Sequence, residues 1–365
     1  MVKRIQQNIF SKINRYPILK NNILRIWDGY HNVLPFVVGF FTRCFPYSKH
    51  ILNSKVIAQP GTLDFKGGAF NPGAIELDNG QILLTAKSQV IPWYQSRGHH
   101  RKYYLDGKPT VFFLDKSTLE TKKSYPINDE VGFPENEDFA LEDFRAFYWK
   151  GQIMINHSFV IKGKVDGYIN QTSVRSALSI LDSKEKKMTF QAFPTLDFPQ
   201  KKFEKNWVYK EHEGQLLLFY SLNPFKVLVL ENEHDFSFKT QVNIKFEQLI
   251  DPGGYGTLVS FSTNPIDFDE KHWFMVIHQI EHKIIGRCYY HWGLLIDKST
   301  FLPAKITCKP IFSGMGARGR LPGIRYISSI IKQEDKILFF AGEGDVFVTV
   351  TEKSIKKLHE MWADV

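Results

Sequence analysis

A short unit recurs five times along this chain, and no other feature limits its fold as much. A polar turn carrying Gly or a charge precedes an apolar strand at Asn79-Gly80-Gln81-Ile82-Leu83-Leu84, Lys150-Gly151-Gln152-Ile153-Met154-Ile155 and Glu213-Gly214-Gln215-Leu216-Leu217-Leu218, with weaker copies at Glu270–Met275 and Glu334–Phe339. The copies begin near residues 80, 151, 214, 271 and 336, at intervals of 71, 63, 57 and 65 residues. Each interval accommodates about four strands of about five to six residues with their loops. A second unit, Phe113-Leu114-Asp115-Lys116-Ser117-Thr118-Leu119, returns at Ile180–Lys184 and Leu295–Phe301, with Val229-Leu230-Glu231-Asn232 as a degenerate copy. Asp, Ser and Thr at such sites bond the backbone and reverse the chain into the next strand. Five units of four strands predict an all-β, five-bladed β-propeller over residues 56–352. A β-sandwich or a pair of β domains is the alternative.

Composition agrees with a large β core: 43% of the 365 residues are apolar and 15% are aromatic, a bias that favours strands and stacking surfaces. The net charge of +9 at first suggests a nucleic-acid partner. It is unevenly spread, however. Residues 1–55 hold nine Lys and Arg against one acid, Asp28, a net +8 that leaves +1 for the other 310 residues. The reading is therefore a basic, helical N-terminal extension (1–55) on a nearly neutral propeller, followed by a helical tail (353–365), with no nucleic-acid partner. The extension either packs on the protein or makes a peripheral membrane contact, as basic aromatic segments do. The apolar run Val33–Phe41 is nine residues and holds Pro35, whereas a helical span needs about 20. Three cysteines without a C-x-x-C pair indicate neither a disulfide framework nor a zinc site, so a reducing cytoplasm, at the inner membrane face, is expected.

A propeller's chemistry converges on its central funnel, lined by the innermost strand of each blade and the loop leading into it. One polar cluster stands at that phase in each repeat: Gly67–Ala74, Leu141–Arg145, Phe203–Trp207, Asp251–Thr257 and Arg325–Ser329, the last followed by Gly342-Glu343-Gly344-Asp345. His99–Tyr104 reads as a charged loop that either is solvated or forms a lip of the funnel. Gly314–Gly319 reads as a loop before the last blade, because no strand-then-helix context supports a nucleotide-binding turn. The chain has no phosphate-loop signature, no G-x-S-x-G elbow and no H-E-x-x-H motif, so no cofactor or metal is expected.

These clusters resemble those of the five-bladed propeller family of inverting β-mannoside phosphorylases and mannosidases and the related β-1,2-mannosyltransferases. Phe70-Asn71-Pro72-Gly73-Ala74 matches the family's first-blade segment. Glu142-Asp143-Phe144-Arg145 matches its Glu-Asp-Pro-Arg, with Phe144 in place of the proline, and Lys205-Asn206-Trp207 matches its third-blade motif. The resemblance spans about residues 60–350.

It implies that Asp143 is the general acid or base of glycosyl transfer, a role needed because an alkoxide is a poor leaving group. The bland alternative is that Asp143 only orients Arg145. The resemblance assigns Lys205 and His278 to phosphate, a structural histidine on an apolar strand being the alternative for His278, and places Glu142 and Asn206 in the substrate-binding set. Lys205 and Arg145 suit an anionic group such as phosphate or a sugar-nucleotide diphosphate; ion pairs with Glu142 or Glu204 are their alternative. Asn71 and Asp345 suit sugar hydroxyls, a turn cap being the alternative for Asn71, and Trp207, Phe70 and Tyr255 suit either sugar faces or the propeller core. Two departures matter. Lys87 stands near a family arginine, and Pro252 stands where an arginine precedes the double glycine, so the phosphate ring is incomplete. The expected function is thus an inverting glycosyltransferase of surface or capsular glycan synthesis, with Asp143 as base on the acceptor hydroxyl, Lys205, Arg145 and Lys87 on the donor phosphate, and a sugar donor (nucleotide or phosphate) and a glycan acceptor as partners. A β-mannoside phosphorylase or hydrolase, and a non-catalytic glycan-binding propeller, are the alternatives.

Overall fold

The computed structural model describes residues 53–90, 107–135, 137–165, 168–245, 258–283, 286–314, 317–319, 321 and 323–365. Residues 1–52 of the expected helical extension, the His99–Tyr104 loop and the Asp251–Thr257 cluster with Pro252 and Tyr255 lie outside them, and Lys55, the last residue of that extension, opens a strand.

Strand β1 (Lys55–Ala58) leads into sheet I, formed by β2 (Gly68–Glu76), β3 (Gln81–Gln89), β4 (Gly107–Asp115) and β5 (Thr121–Pro126) in that spatial order. Sheet II holds β6 (Asp129–Val131), β7 (Phe139–Trp149), β8 (Gln152–Val165), β9 (Tyr168–Asp182) and β10 (Lys187–Ala192), with β7 innermost and β6 parallel to β10 outside. Sheet III repeats the plan with β11 (Thr195–Leu196), β12 (Val208–His212), β13 (Gln215–Leu222), β14 (Phe225–Asn232) and β15 (Ser237–Ile244). Sheet IV runs β16 (Leu258–Phe261), then β18 (His272–Lys283), β19 (Gly286–Asp297) and β20 (Pro303–Thr307), with β17 (Ile266–Asp267) and β21 (Phe312–Ser313) at its margins. Sheet V is β22 (Arg325–Gln333), β23 (Lys336–Glu343) and β24 (Phe347–Ser354), completed on the outside by β1 from the other end of the chain. The C-terminal tail is a short helix, α1 (Ile355–His359), and a strand, β25 (Trp362–Asp364), which joins β20 of sheet IV.

The sheets are arranged as a propeller. Apolar clusters fill the gap between each consecutive pair. Ile75 and Leu83 meet Phe144 and Phe159 between I and II, and Met154 meets Trp207 and Leu218 between II and III. Phe219 meets Trp273 between III and IV, Phe274 meets Phe339 between IV and V, and Phe340 and Val348 meet Leu84 and Phe112 between V and I. The last contact closes the ring. Because each sheet is covered on both faces, its second strand reads as an apolar run rather than as an alternation; Ile82 through Gln89 are all buried.

The two sequence units find their physical places. The first heads the second strand of every sheet, at Gln81, Gln152, Gln215, His272 and Lys336. The second is the turn out of the third strand. Asp115 Oδ1 accepts the Ser117 and Thr118 amides at 3.0 and 2.9 Å, and Asp297 Oδ1 accepts those of Ser299 and Thr300 at 3.0 and 2.8 Å. In the degenerate copy Asn232 takes this role toward His234, at 3.0 Å. Among the described residues no helix is long and apolar enough to cross a membrane.

Innermost strands present one unpaired edge to the axis, and side chains from other sheets satisfy it. Ser329 Oγ takes the Ala74 amide at 2.9 Å and donates to its carbonyl at 3.0 Å. Asn264 receives the Tyr209 amide at 3.0 Å and donates to the Ala146 carbonyl at 3.0 Å. Gly73 lets sheets I and II approach this closely: a β-carbon there would stand 2.7 Å from the Phe144 carbonyl oxygen and 2.9 Å from Arg145 Cα.

Candidate active site

The inner strands all begin at one end of the propeller. Near that end β2 and β7 each carry a bulge, at Asn71 and at Asp143, where one extra residue breaks the register with the second strand. Both bulge residues hold left-handed backbone, with φ of 52° and 57°, and Asn206, just before β12, does the same with φ of 63°. Asn and Asp are the non-glycine residues that tolerate this conformation best. The local fold therefore selects the residue types that bear the polar groups.

Asn71 Nδ2 donates to Asp143 Oδ1 at 2.6 Å, and Ser158 Oγ donates to Oδ2 at 3.3 Å. Lys205 Nζ lies 4.0 Å from Asp143 Oδ2 and 3.8 Å from Glu142 Oε2, and Lys87 Nζ lies 2.8 Å from Glu142 Oε1. Two carboxylates and two ammonium groups thus alternate in one cluster. Burial pushes the Asp143 carboxyl up. Lys205, Arg145, Lys87 and the Asn71 bond together outweigh it and hold the group below the usual aspartate value.

Arg145 is buried and committed to protein partners. Its Nε donates to the Ser262 carbonyl at 2.7 Å and its Nη1 to the Asp143 carbonyl at 3.1 Å; Nη2 donates to Asn206 Oδ1 at 3.1 Å and to the Tyr326 hydroxyl. It ties four inner strands together and pairs with neither Glu142 nor Glu204. Glu204 instead accepts the Lys201 amide at 2.6 Å and the Tyr220 hydroxyl at 3.0 Å. Tyr326 also donates to Asn206 Oδ1 at 3.1 Å, so one hydroxyl fixes two of the motif residues.

His278, on β18, stacks on Tyr289 with centroids 5.6 Å apart and meets Tyr326 edge-on at 5.1 Å; its Nδ1 is 3.1 Å from Ser262 Oγ. Burial, aided by Arg145, lowers its pKa to about 3, so the ring is neutral at neutral pH. Asp345 lies in the β23–β24 turn at this end, with φ of 56°; after burial itself, its charge is the largest influence raising the Tyr289 phenol.

The structure brings Asn71, Lys87, Glu142, Asp143, Arg145, Lys205, Asn206 and His278 to one end of the axis, with Asp345 at its margin. Two expectations are corrected. Phe70 and Trp207 are 2% and 1% exposed, and Trp207 packs against Tyr220 in the cluster between sheets II and III, so neither ring offers a face to a sugar. Sequence reasoning missed Tyr326 and Ser158. The signal for Tyr326 was its place in Arg325–Ser329, at the phase of the other clusters. Among the described residues no group of three or more His, Cys, Asp and Glu is placed to hold a metal ion.

No known family profile matches the sequence, and no curated protein matches it either. Solved structures do match the fold. A glycosyl hydrolase from Bacteroides ovatus aligns with a TM-score of 0.59 and 15% identity over 85% of this chain and 93% of its own. A mannose phosphorylase from Leishmania mexicana, solved with a phosphate ion, aligns with a TM-score of 0.58 and 12% identity over 88% and 95%. A GDP-Man-dependent mannosyltransferase from the same organism aligns with a TM-score of 0.55 and 14% identity over 86% and 93%. One fold therefore carries hydrolysis, phosphorolysis and transfer among the proteins this chain is similar to, so the fold alone does not choose between reactions.

Proposed function

We propose that the protein is a carbohydrate-active enzyme, an inverting glycosyltransferase that moves a sugar, mannose being the leading candidate, from a phosphate-activated donor to a glycan hydroxyl. The observation that carries this reading is the setting of the Asp143 carboxyl, which accepts bonds from Asn71 and Ser158 with Lys205 Nζ 4.0 Å away, donors and a cation that together favour the carboxylate form. A carboxylate is suited to be a general base, whereas a general acid for leaving-group protonation is favoured by a raised pKa. In the proposed step Asp143 takes the proton of the acceptor hydroxyl and the acceptor oxygen bonds to the anomeric carbon. The bond from that carbon to the donor phosphate breaks, its electron pair leaving with the phosphate or diphosphate. Direct displacement inverts the centre.

The surrounding cations fit a donor of this kind. Lys87 and Arg145 are closed off by protein partners, while the Lys205 side chain is 33% exposed beside Asp143. Lys205 is the group we assign to the donor phosphate, with neutral His278 buried behind Arg145. The +8 segment 1–55 would hold the enzyme at an anionic, cytoplasmic membrane face, where surface-glycan acceptors are carried.

The test is a substrate panel. The protein is incubated with nucleotide sugars and manno-oligosaccharide acceptors, then with manno-oligosaccharides with and without inorganic phosphate. Release of nucleoside diphosphate with extension of the acceptor is expected. Sugar 1-phosphate formed only with phosphate would assign a phosphorylase, free sugar a hydrolase, and sugar binding without turnover a glycan-binding propeller.

A further inference from the structure

The base and the donor cation of the proposed step stand on neighbouring parts of the ring, Asp143 on β7 and Lys205 just before β12. A side chain from sheet V joins their supports. Tyr326, on the inner strand β22, is buried, and its hydroxyl lies between Arg145 of sheet II and Asn206 of sheet III.

Chemistry fixes the order of protons in this contact, because a guanidinium can only donate. Arg145 Nη2 therefore donates to the Tyr326 oxygen and to Asn206 Oδ1, the latter at 3.1 Å. The single proton of the phenol goes to Asn206 Oδ1, also at 3.1 Å. Two donors on Oδ1 hold the Asn206 amide in one orientation, on a backbone whose φ is 63°. Asn206 adjoins Lys205, whose Nζ stands 4.0 Å from Asp143 Oδ2. Arg145 Nη1 in turn holds the carbonyl of Asp143, at 3.1 Å, where β7 bulges. Packing alone would require only the ring of Tyr326, which meets His278 edge-on at 5.1 Å and Tyr289 edge-on at 5.9 Å. Phenylalanine would make both contacts and would avoid the desolvation of a buried hydroxyl.

We infer that Tyr326 is a positioning residue: through Arg145 and Asn206 its hydroxyl holds the Asp143 carboxylate and the Lys205 ammonium in place relative to each other. The inference rests on the reaction proposed above for the roles of Asp143 and Lys205. The coupling itself is read without turnover.

The experiment is Tyr326→Phe, which removes the hydroxyl and keeps the ring. Tyr148→Phe is the control, because it removes a comparable bond, to the Glu76 carbonyl at 3.0 Å, at the far end of β7. Carbon-13 NMR of protein labelled at the aspartate carboxyls reads the Asp143 titration, assigned by its loss in Asp143→Asn. Burial raises that carboxyl, and Lys205 and Arg145 lead the influences that lower it, so loosening either moves the titration up. The other titratable groups about Asp143 are Glu142, Lys87, His278 and Tyr289, and they keep their contacts when only the hydroxyl is lost. A rise of about 0.5 or more is expected in Tyr326→Phe and none in Tyr148→Phe. On the donor that the substrate panel identifies, kcat/KM of Tyr326→Phe should fall about tenfold, with the acid limb of the pH profile moved up. Should Tyr326→Phe lack a cooperative melt, Asn206→Gly is read in its place with the same outcomes, because it keeps the left-handed backbone and removes the acceptor of the hydroxyl. The inference is overturned by an Asp143 titration that the variant leaves unmoved, or that Tyr148→Phe moves equally. A titration that rises in Tyr326→Phe alone, without transfer to any acceptor, would uphold the positioning and overturn the proposed reaction.

Discussion

Asn71 and Asp143 meet across neighbouring inner strands, the amide of one donating to the carboxylate of the other at 2.6 Å, and both sit at strand bulges in the left-handed backbone conformation. The same backbone feature that turns each side chain toward the axis also restricts which residues can stand there. Asn71→Gly should keep the backbone and lose only the hydrogen bond. Asn71→Ala should lose the bond and add strain of about 1 kcal/mol. Urea unfolding should therefore rank the parent above Asn71→Gly and Asn71→Gly above Asn71→Ala. Equal stability of the two variants would contradict the strain argument.

Lys205 is the largest of the influences that hold Asp143 below its ordinary value. A carboxylate whose folded pKa is depressed contributes stability above its unfolded value, near 3.8, and loses it as pH falls through the lower folded value. Lys205→Met should raise the Asp143 pKa, and carbon-13 NMR of the aspartate carboxyls should show one titration moving upward. The acid limb of any pH–rate profile should move in the same direction.

Buried histidines set a second pH window. Burial lowers both His157 and His278 to about 3, and His291 is also driven well below 6.5. Each is neutral when folded but binds a proton near pH 6.5 when unfolded, so its contribution is complete above pH 6.5 and declines as pH falls toward 3. The limiting slope is about 1.4 kcal/mol per pH unit for each histidine. His157 Nε2 lies 2.9 Å from Ser179 Oγ, and burial outweighs the opposing bond with the Ser158 backbone. His157→Gln should flatten the fall of unfolding free energy between pH 6 and pH 4, measured in urea at each pH.

Gly73 marks where two sheets touch at the axis. Gly73→Ala would drive a β-carbon into the backbone of Phe144, Arg145 and Ala146 at 2.7 to 2.9 Å, and backbone cannot move aside as a side chain can. A loss of about 1–3 kcal/mol is expected. Because Arg145 is carried on the displaced strand and holds Asn206, the neighbour of Lys205, affinity for a donor should weaken as well, which calorimetric titration of the variant would reveal.

The architecture was legible because the propeller is a repeat, and a repeat shows itself in sequence wherever a turn demands particular residues. Gln81, Gln152 and Gln215 head equivalent strands, and Asp115 and Asp297 cap equivalent turns, because the backbone needs the same service at each place. The polar cluster of the site was legible for a related reason: Asn71, Asp143 and Asn206 occupy backbone that few residues tolerate. What was hidden depends on contacts far apart in the chain. Tyr326 is one aromatic among many in an apolar strand until its hydroxyl is seen on Arg145 and Asn206. Trp207 suggests a sugar platform until sheets II and III close over it. Strand β1 is four residues with no clear periodicity, and only its pairing with β24 reveals that it completes sheet V.

If the Asp143 carboxylate is the base of the reaction, Asp143→Asn removes the group that takes the acceptor proton and little else. Asparagine tolerates the left-handed backbone at this position, where φ is 57°, so the variant should fold and bind donor within a few-fold of the parent. Turnover and donor affinity are to be measured side by side on whichever donor the substrate panel identifies. Turnover is expected to fall by about 10²–10⁴-fold with affinity retained. Turnover equal to that of the parent would contradict that role for Asp143.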